Sequence, residues 1–244
     1  MIAADEERLG WKEVELGRLE AAEAHFRRAL ELDPSRADAL NGLGVVYLSW
    51  GEYAQAEELF EMAVRQARER LPQRRRVGRA DAEALVPYWR GLYQLAVTFA
   101  RQGLWEEVLA PLDTLLGWGP SPYTADAFFL LGEAQQRLGQ LKAAALAYEE
   151  AAEERPLAWY SLGLVEHQAG FVDDAWDHWQ RAVRRAPEAA PLILFYPKVL
   201  ALPVFQSGAE AFEEAAGFVA EQIDLWDKES RATLFRVWQE GQAP

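Results

Sequence analysis

From residue 40 the chain carries apolar positions at helical spacing. Leu40, Leu43 and Tyr47 form one stripe, Tyr53, Ala56, Phe60 and Ala63 form a second, and Gly51 stands between them. The pattern predicts two amphipathic helices that reverse at Gly51, where a positive φ carries no steric penalty for glycine. Gly44 and Ala56 fall where two such helices cross and their backbones need to approach closely.

The same punctuation recurs along most of the chain. Gly17, Gly51, Gly103, Gly139 and Gly170 each end one apolar-periodic segment and precede another, at spacings of 34, 52, 36 and 31 residues. Before each turn stand Leu9-Gly10, Leu43-Gly44, Leu95-Ala96, Leu131-Gly132 and Leu162-Gly163. After it come Leu19, Tyr53, Trp105, Leu141 and Val172, then Ala22, Ala56, Val108, Ala144 and Ala175. Four residues further lie Phe26, Phe60, Leu112, Tyr148 and Trp179. Pro34, Pro120, Pro156 and Pro187 close four of the five units, since proline cannot continue a helix. Recurrence in register is the mark of stacked repeats and not of unrelated helix pairs.

This unit resembles the tetratricopeptide repeat, a helix–turn–helix of about 34 residues. The resemblance covers residues 3–187, in units at about 3–36, 37–71, 89–120, 125–155 and 156–187. It implies an all-α fold, a right-handed superhelix of about five repeats with a helical cap over residues 188–244. Three departures stand out. Unit one has Glu6 and Glu13 where large apolar residues are usual, as expected of a solvent-facing terminal repeat. Unit three has Val108 and Leu112 in place of alanine and an aromatic, and Pro156 starts the fifth unit early.

Residues 72–88 form a basic insertion between units two and three. The preceding helix is predicted to reach about Arg70, with Asp81 capping a short turn before Pro87. Past Pro187 the repeat pattern stops. Pro191, Pro197 and Pro203 interrupt short apolar runs; Phe212, Ala216, Val219, Ile223 and Trp226 then mark one helix, and Leu234, Phe235 and Trp238 a last one. A cap over the open end of the array is the default for this region. A dimer surface and a segment folded into the protein's own groove are the alternatives.

Charge narrows the function. The net charge of −14 and pI near 4.8 disfavour nucleic acid as a general ligand. The cluster Arg74, Arg75, Arg76 and Arg79 is the one candidate patch for RNA or an acidic partner, but no aromatic residue is interleaved to stack a base. Cysteine is absent, so neither disulfides nor thiolate metal sites exist. The first residues resemble no signal peptide, and no apolar run has the ~18 residues a membrane span needs. A cytoplasmic location is expected.

Catalytic chemistry finds no support. Of three histidines, His25 and His178 occupy the same repeat register, one residue before the aromatic. Asp174 and His178 lie one helical turn apart, a spacing common on exposed helices and insufficient for a metal site. Gly42-Leu43-Gly44 lies inside a helix and lacks the trailing glycine of a phosphate loop. No catalytic residue, cofactor or metal is predicted.

In the family this chain resembles, the first helix of each unit lines a concave groove that holds a peptide or helix of another protein. Carried over by register, the groove positions are Trp11; Asn41, Val45 and Leu48; Tyr93, Val97 and Arg101; Phe129, Glu133 and Arg137; and Tyr160, Leu164 and His167. The subclass that grips a terminal carboxylate is disfavoured, because Glu7, Trp11 and Gly42 stand at its basic places and only Arg90 fits. The expected function is a non-enzymatic scaffold for an apolar or helical segment of a partner protein. Homo-oligomerisation through the apolar C-terminal region is the first alternative.

Overall fold

The computed structural model describes residues 2–71 and 82–185, which form ten α-helices and no strand among the described residues. They are α1 (Ala3–Glu15), α2 (Leu19–Leu32), α3 (Ala37–Trp50), α4 (Tyr53–Glu69), α5 (Ala82–Gln102), α6 (Trp105–Leu116), α7 (Thr124–Arg137), α8 (Leu141–Ala152), α9 (Leu157–Gln168) and α10 (Val172–Arg185). The chain divides into two compact units, residues 1–140 and 141–244. The arginines 74, 75, 76 and 79 and the expected cap at 188–244 lie outside the described residues.

Every predicted reversal is built alike. Gly17, Gly51, Gly103, Gly139 and Gly170 have φ between 70° and 90°. At Gly51 its own N–H donates to the Leu48 carbonyl at 3.1 Å, and the Glu52 N–H reaches back to Tyr47 at 2.9 Å. This paired arrangement satisfies carbonyls that the helix end would otherwise leave open, and it needs a left-handed residue at the turn. An added Cβ at any of these five glycines meets nothing within 4 Å, so backbone conformation alone demands them.

A second class of glycine serves packing. A Cβ on Gly10 would stand 2.6 Å from the Phe26 ring, and one on Gly44 2.6 Å from Phe60. Gly163 meets the Trp179 indole in the same way. In these three pairs the aromatic of the second helix fills the notch left by glycine on the first, and Phe26, Phe60 and Trp179 are buried. In the third pair the volumes are exchanged. Ala96 replaces the glycine and Leu112 the aromatic, and both are fully buried.

Two expectations are corrected. Glu6 is not a solvent-facing residue: it is 2% exposed, with His25 Nδ1 at 2.7 Å and the Arg28 guanidinium at 3.5 Å. Burial of a carboxylate demands such partners. The basic insertion also ends before residue 88, because α5 begins at Ala82 and runs through Pro87. Leu85, Tyr88 and Trp89 explain the extension, since they bury almost completely at i, i+3 and i+4. That apolar gain outweighs the one backbone hydrogen bond proline removes so near the helix start.

Candidate functional site

In the first unit the first helices of successive pairs touch along the stack, α1 on α3, α3 on α5 and α5 on α7, more closely than the second helices do. The first helices thus form one continuous packed row in this unit. Most charges near that row are already matched to each other. Arg36 grips Glu7 with two hydrogen bonds of 2.8 Å, and these raise the Arg36 guanidinium above its ordinary value. Arg90 donates to Asp38 at 2.6 Å and to the Tyr123 hydroxyl at 3.0 Å. Its guanidinium also lies 4.3 Å from the Trp11 ring centroid.

Electrostatics within this cluster follow from burial. Desolvation pushes the Asp38 carboxyl above the usual aspartate range, outweighing the lowering by Arg90. Burial would lower the Arg90 guanidinium, but Asp38 and Tyr123 together overcome it and raise it. Arg90, the one residue suited to gripping a carboxylate, is thus engaged within the protein.

The residues expected on the groove divide into several kinds. Asn41 is completely buried and donates through Nδ2 to the Pro87 carbonyl at 2.8 Å, so it joins α3 to α5 and is no surface contact. Trp11 is half-buried, with its edge on Phe26 at 5.4 Å and Arg90 over its face. Tyr93 stacks on Tyr123 at 5.5 Å with 28° between ring planes. Val45, Leu48, Tyr93, Val97, Phe129 and Glu133 are half-buried, whereas Arg101 and Arg137 are exposed. Arg137 lies 5.4 Å from the Trp105 ring.

In the second unit, Tyr160, Leu164 and His167 are half-buried on α9. The Tyr160 carbonyl accepts a hydrogen bond from Trp179 Nε1 at 3.2 Å, and His167 lies 6.2 Å from the Trp179 ring. These two positions therefore also serve the α9–α10 packing. His178 meets Glu166 at 2.6 Å and stacks on Trp159 at 5.2 Å. Among the described residues no three metal-ligating side chains converge, and no helix is long and apolar enough to cross a membrane.

Register reasoning missed Asp38 and Tyr123. Asp38 had a signal, because it and Arg90 hold the same register in neighbouring units with opposite charge. Tyr123 had none: it precedes α7, outside any periodic stripe.

Successive helix pairs that reverse at positive-φ glycines define an all-α repeat protein among the described residues. The chain belongs to the tetratricopeptide repeat family, whose sequence profile matches residues 8–70 and 124–190, a little over half its length. That membership carries a general protein-binding role, in a family whose members are generally non-catalytic scaffolds.

Among solved structures, a MamA protein from Desulfovibrio magneticus RS-1 superposes with a TM-score of 0.58 at 16% identity, covering 75% of this chain and 93% of that one. YrrB, described as a tetratricopeptide repeat protein with an unusual peptide-binding site, gives a TM-score of 0.56 at 22% identity over 76% of this chain and 86% of its own. At these identities the likeness is one of fold. The cellulose synthase 2 operon protein C of Komagataeibacter xylinus is 30% identical over 194 residues, 77% of this chain. The chain spans only 14% of that protein's length.

Proposed function

We propose that this chain is a binding scaffold that holds an apolar or helical segment of another protein along its first-helix face. One observation carries the proposal. Glu7, Asp38 and Arg90 are bonded within the protein, so the face offered to a ligand in the first unit is made chiefly by Val45, Leu48, Tyr93, Val97 and Phe129. An amphipathic helix with anchors at i, i+3 or i+4 matches such a surface, and a terminal carboxylate does not. The peptide-binding site of YrrB is consistent with this use of the fold.

Selection from a displayed random-peptide library tests the proposal. Enriched peptides should carry apolar anchors at helical spacing. Their binding should be lost in a Tyr93→Ala, Val97→Asp variant whose helical circular dichroism is retained. Enrichment of acidic or terminal-carboxylate motifs, or binding unchanged in the folded variant, would refute it.

A further inference from the structure

The second unit carries a cleft of about 420 Å³ between α8 and the start of α10, with α9 as its floor. Leu162 and Val165 form the apolar base and are almost fully buried. Over them stand Leu146 and Phe171, which are 65% and 55% exposed.

Leu146 breaks the repeat's own rule, and Phe171 departs from three of its four counterparts. The position of Leu146, two residues after the crossing alanine or valine, is held elsewhere by Ala24, Glu58, Ala110 and Asp177, all exposed. The position of Phe171, directly after the turn glycine, is held by Arg18, Glu52, Leu104 and Gln140. The first register is large and apolar only at Leu146 among the five units, the second at both Leu104 and Phe171, and Leu146 and Phe171 converge on one cleft. Scattered apolar surface residues need no explanation, but two beside an apolar floor form a patch.

The rim supplies the chemistry of the occupant. Glu149 and Asp174 are exposed at its edges against a single Lys142, while Glu166 is held by His178. The half of α10 beside the cleft carries Asp173, Asp174 and Asp177, and its basic residues Arg181, Arg184 and Arg185 lie toward the far end. That polarity also suits the helix dipole. The dipole accounts for acid at the helix start, but not for the apolar residues it surrounds.

The geometry points to a second docking surface, in which the α8–α10 cleft takes the apolar anchors of a partner helix flanked by lysine or arginine. Its lining includes none of the residues named for the first-helix face. The net charge of −14 would speed the approach of such a basic segment.

The probe is a dansyl-labelled, helix-favouring peptide with Leu and Phe one turn apart and Lys and Arg flanks, set against the same peptide with Glu at every basic place. The variants Leu146→Glu and Phe171→Gln install residue types that Glu58 and Gln140 hold at the same registers, so the fold should tolerate them. Fluorescence anisotropy should show the basic peptide binding, weakening as salt rises, and losing about ten-fold or more in affinity in either variant. Asp174→Asn, in a variant whose helical circular dichroism is retained, should weaken it as well. Tyr93→Ala should leave it unchanged, which separates this surface from the first. The proposal is overturned if the basic peptide fails to bind, or if the acidic peptide binds equally. It also fails if folded Leu146→Glu binds like wild type. Concentration-dependent self-association that Leu146→Glu abolishes would assign the cleft to a second copy and overturn it too.

Discussion

Arg90 donates to Asp38 at 2.6 Å from one first helix to the next, and the two side chains are only 22% and 25% exposed. Loss of either removes the charge partner of the other, although Arg90 keeps the Tyr123 hydroxyl. Arg90→Ala should cost about 1–3 kcal/mol in urea unfolding, below the ~3–5 kcal/mol of a fully buried broken pair. A double-mutant cycle with Asp38→Ala should give a coupling of about 1–2 kcal/mol. Arg90→Lys should not restore it, because an ammonium cannot bond Asp38 and Tyr123 while lying flat on Trp11.

Two aspartates should titrate in opposite senses. Hydrogen bonds from the Ser35 hydroxyl and backbone N–H hold the Asp33 carboxyl below the usual aspartate range. Its contribution to stability is present above the unfolded-chain value and is lost as pH falls through the folded value. Asp38 is raised by burial, so its folded form binds the proton more readily than its unfolded form. Its penalty is present above the folded value and is relieved as pH falls through it. Carboxyl carbon NMR should place the Asp33 midpoint below that of an ordinary aspartate and the Asp38 midpoint above it. Ser35→Ala should move Asp33 upward and leave Asp38 in place.

His25 and Glu6 offer a third test. The carboxylate is nearly buried, and His25 Nδ1 lies 2.7 Å from it. Removing the ring as His25→Ala should destabilise the protein by about 1–3 kcal/mol, the cost of a buried group left short of partners. Adding Glu6→Leu should recover part of that loss, since it removes the stranded charge. Equal loss in the single and double variants would mean that the imidazole contributes packing alone.

Much of this fold was legible because helical period and turn chemistry are local. Gly51 announces a reversal, and Tyr47 and Phe60 announce two stripes, without any knowledge of what they touch. Reasoning ran out where partners are distant in sequence. Glu6 looked like a surface residue because its partner His25 lies on the next helix. Residues 82–88 read as part of the insertion because the burial of Leu85, Tyr88 and Trp89 depends on a third dimension. Asn41 sat at a groove register, yet its amide turned inward to the Pro87 carbonyl. Register alone therefore named Asn41 as a contact where the structure gives it an internal partner.

The exchange of volumes between repeat pairs gives a last prediction. A Cβ on Gly44 would press against three atoms of the Phe60 ring at 2.6 to 2.9 Å, and a flat ring cannot yield as a flexible side chain can. Gly44→Ala should therefore destabilise by about 1–2 kcal/mol, even though alanine is the better helix former by ~1 kcal/mol. The third pair already contains the remedy, with Ala96 and Leu112 both fully buried at the same registers. Phe60→Leu introduced together with Gly44→Ala should be less damaging than the sum of the two single changes. Gly139→Ala makes the contrast. It meets no neighbour within 4 Å but demands a φ of 75° from an alanine, so no partner substitution can rescue it. Thermal melts of these four variants separate the glycines that make room for a ring from those that turn the chain. Additive losses for Gly44→Ala and Phe60→Leu would show that the notch and the ring are not a matched pair.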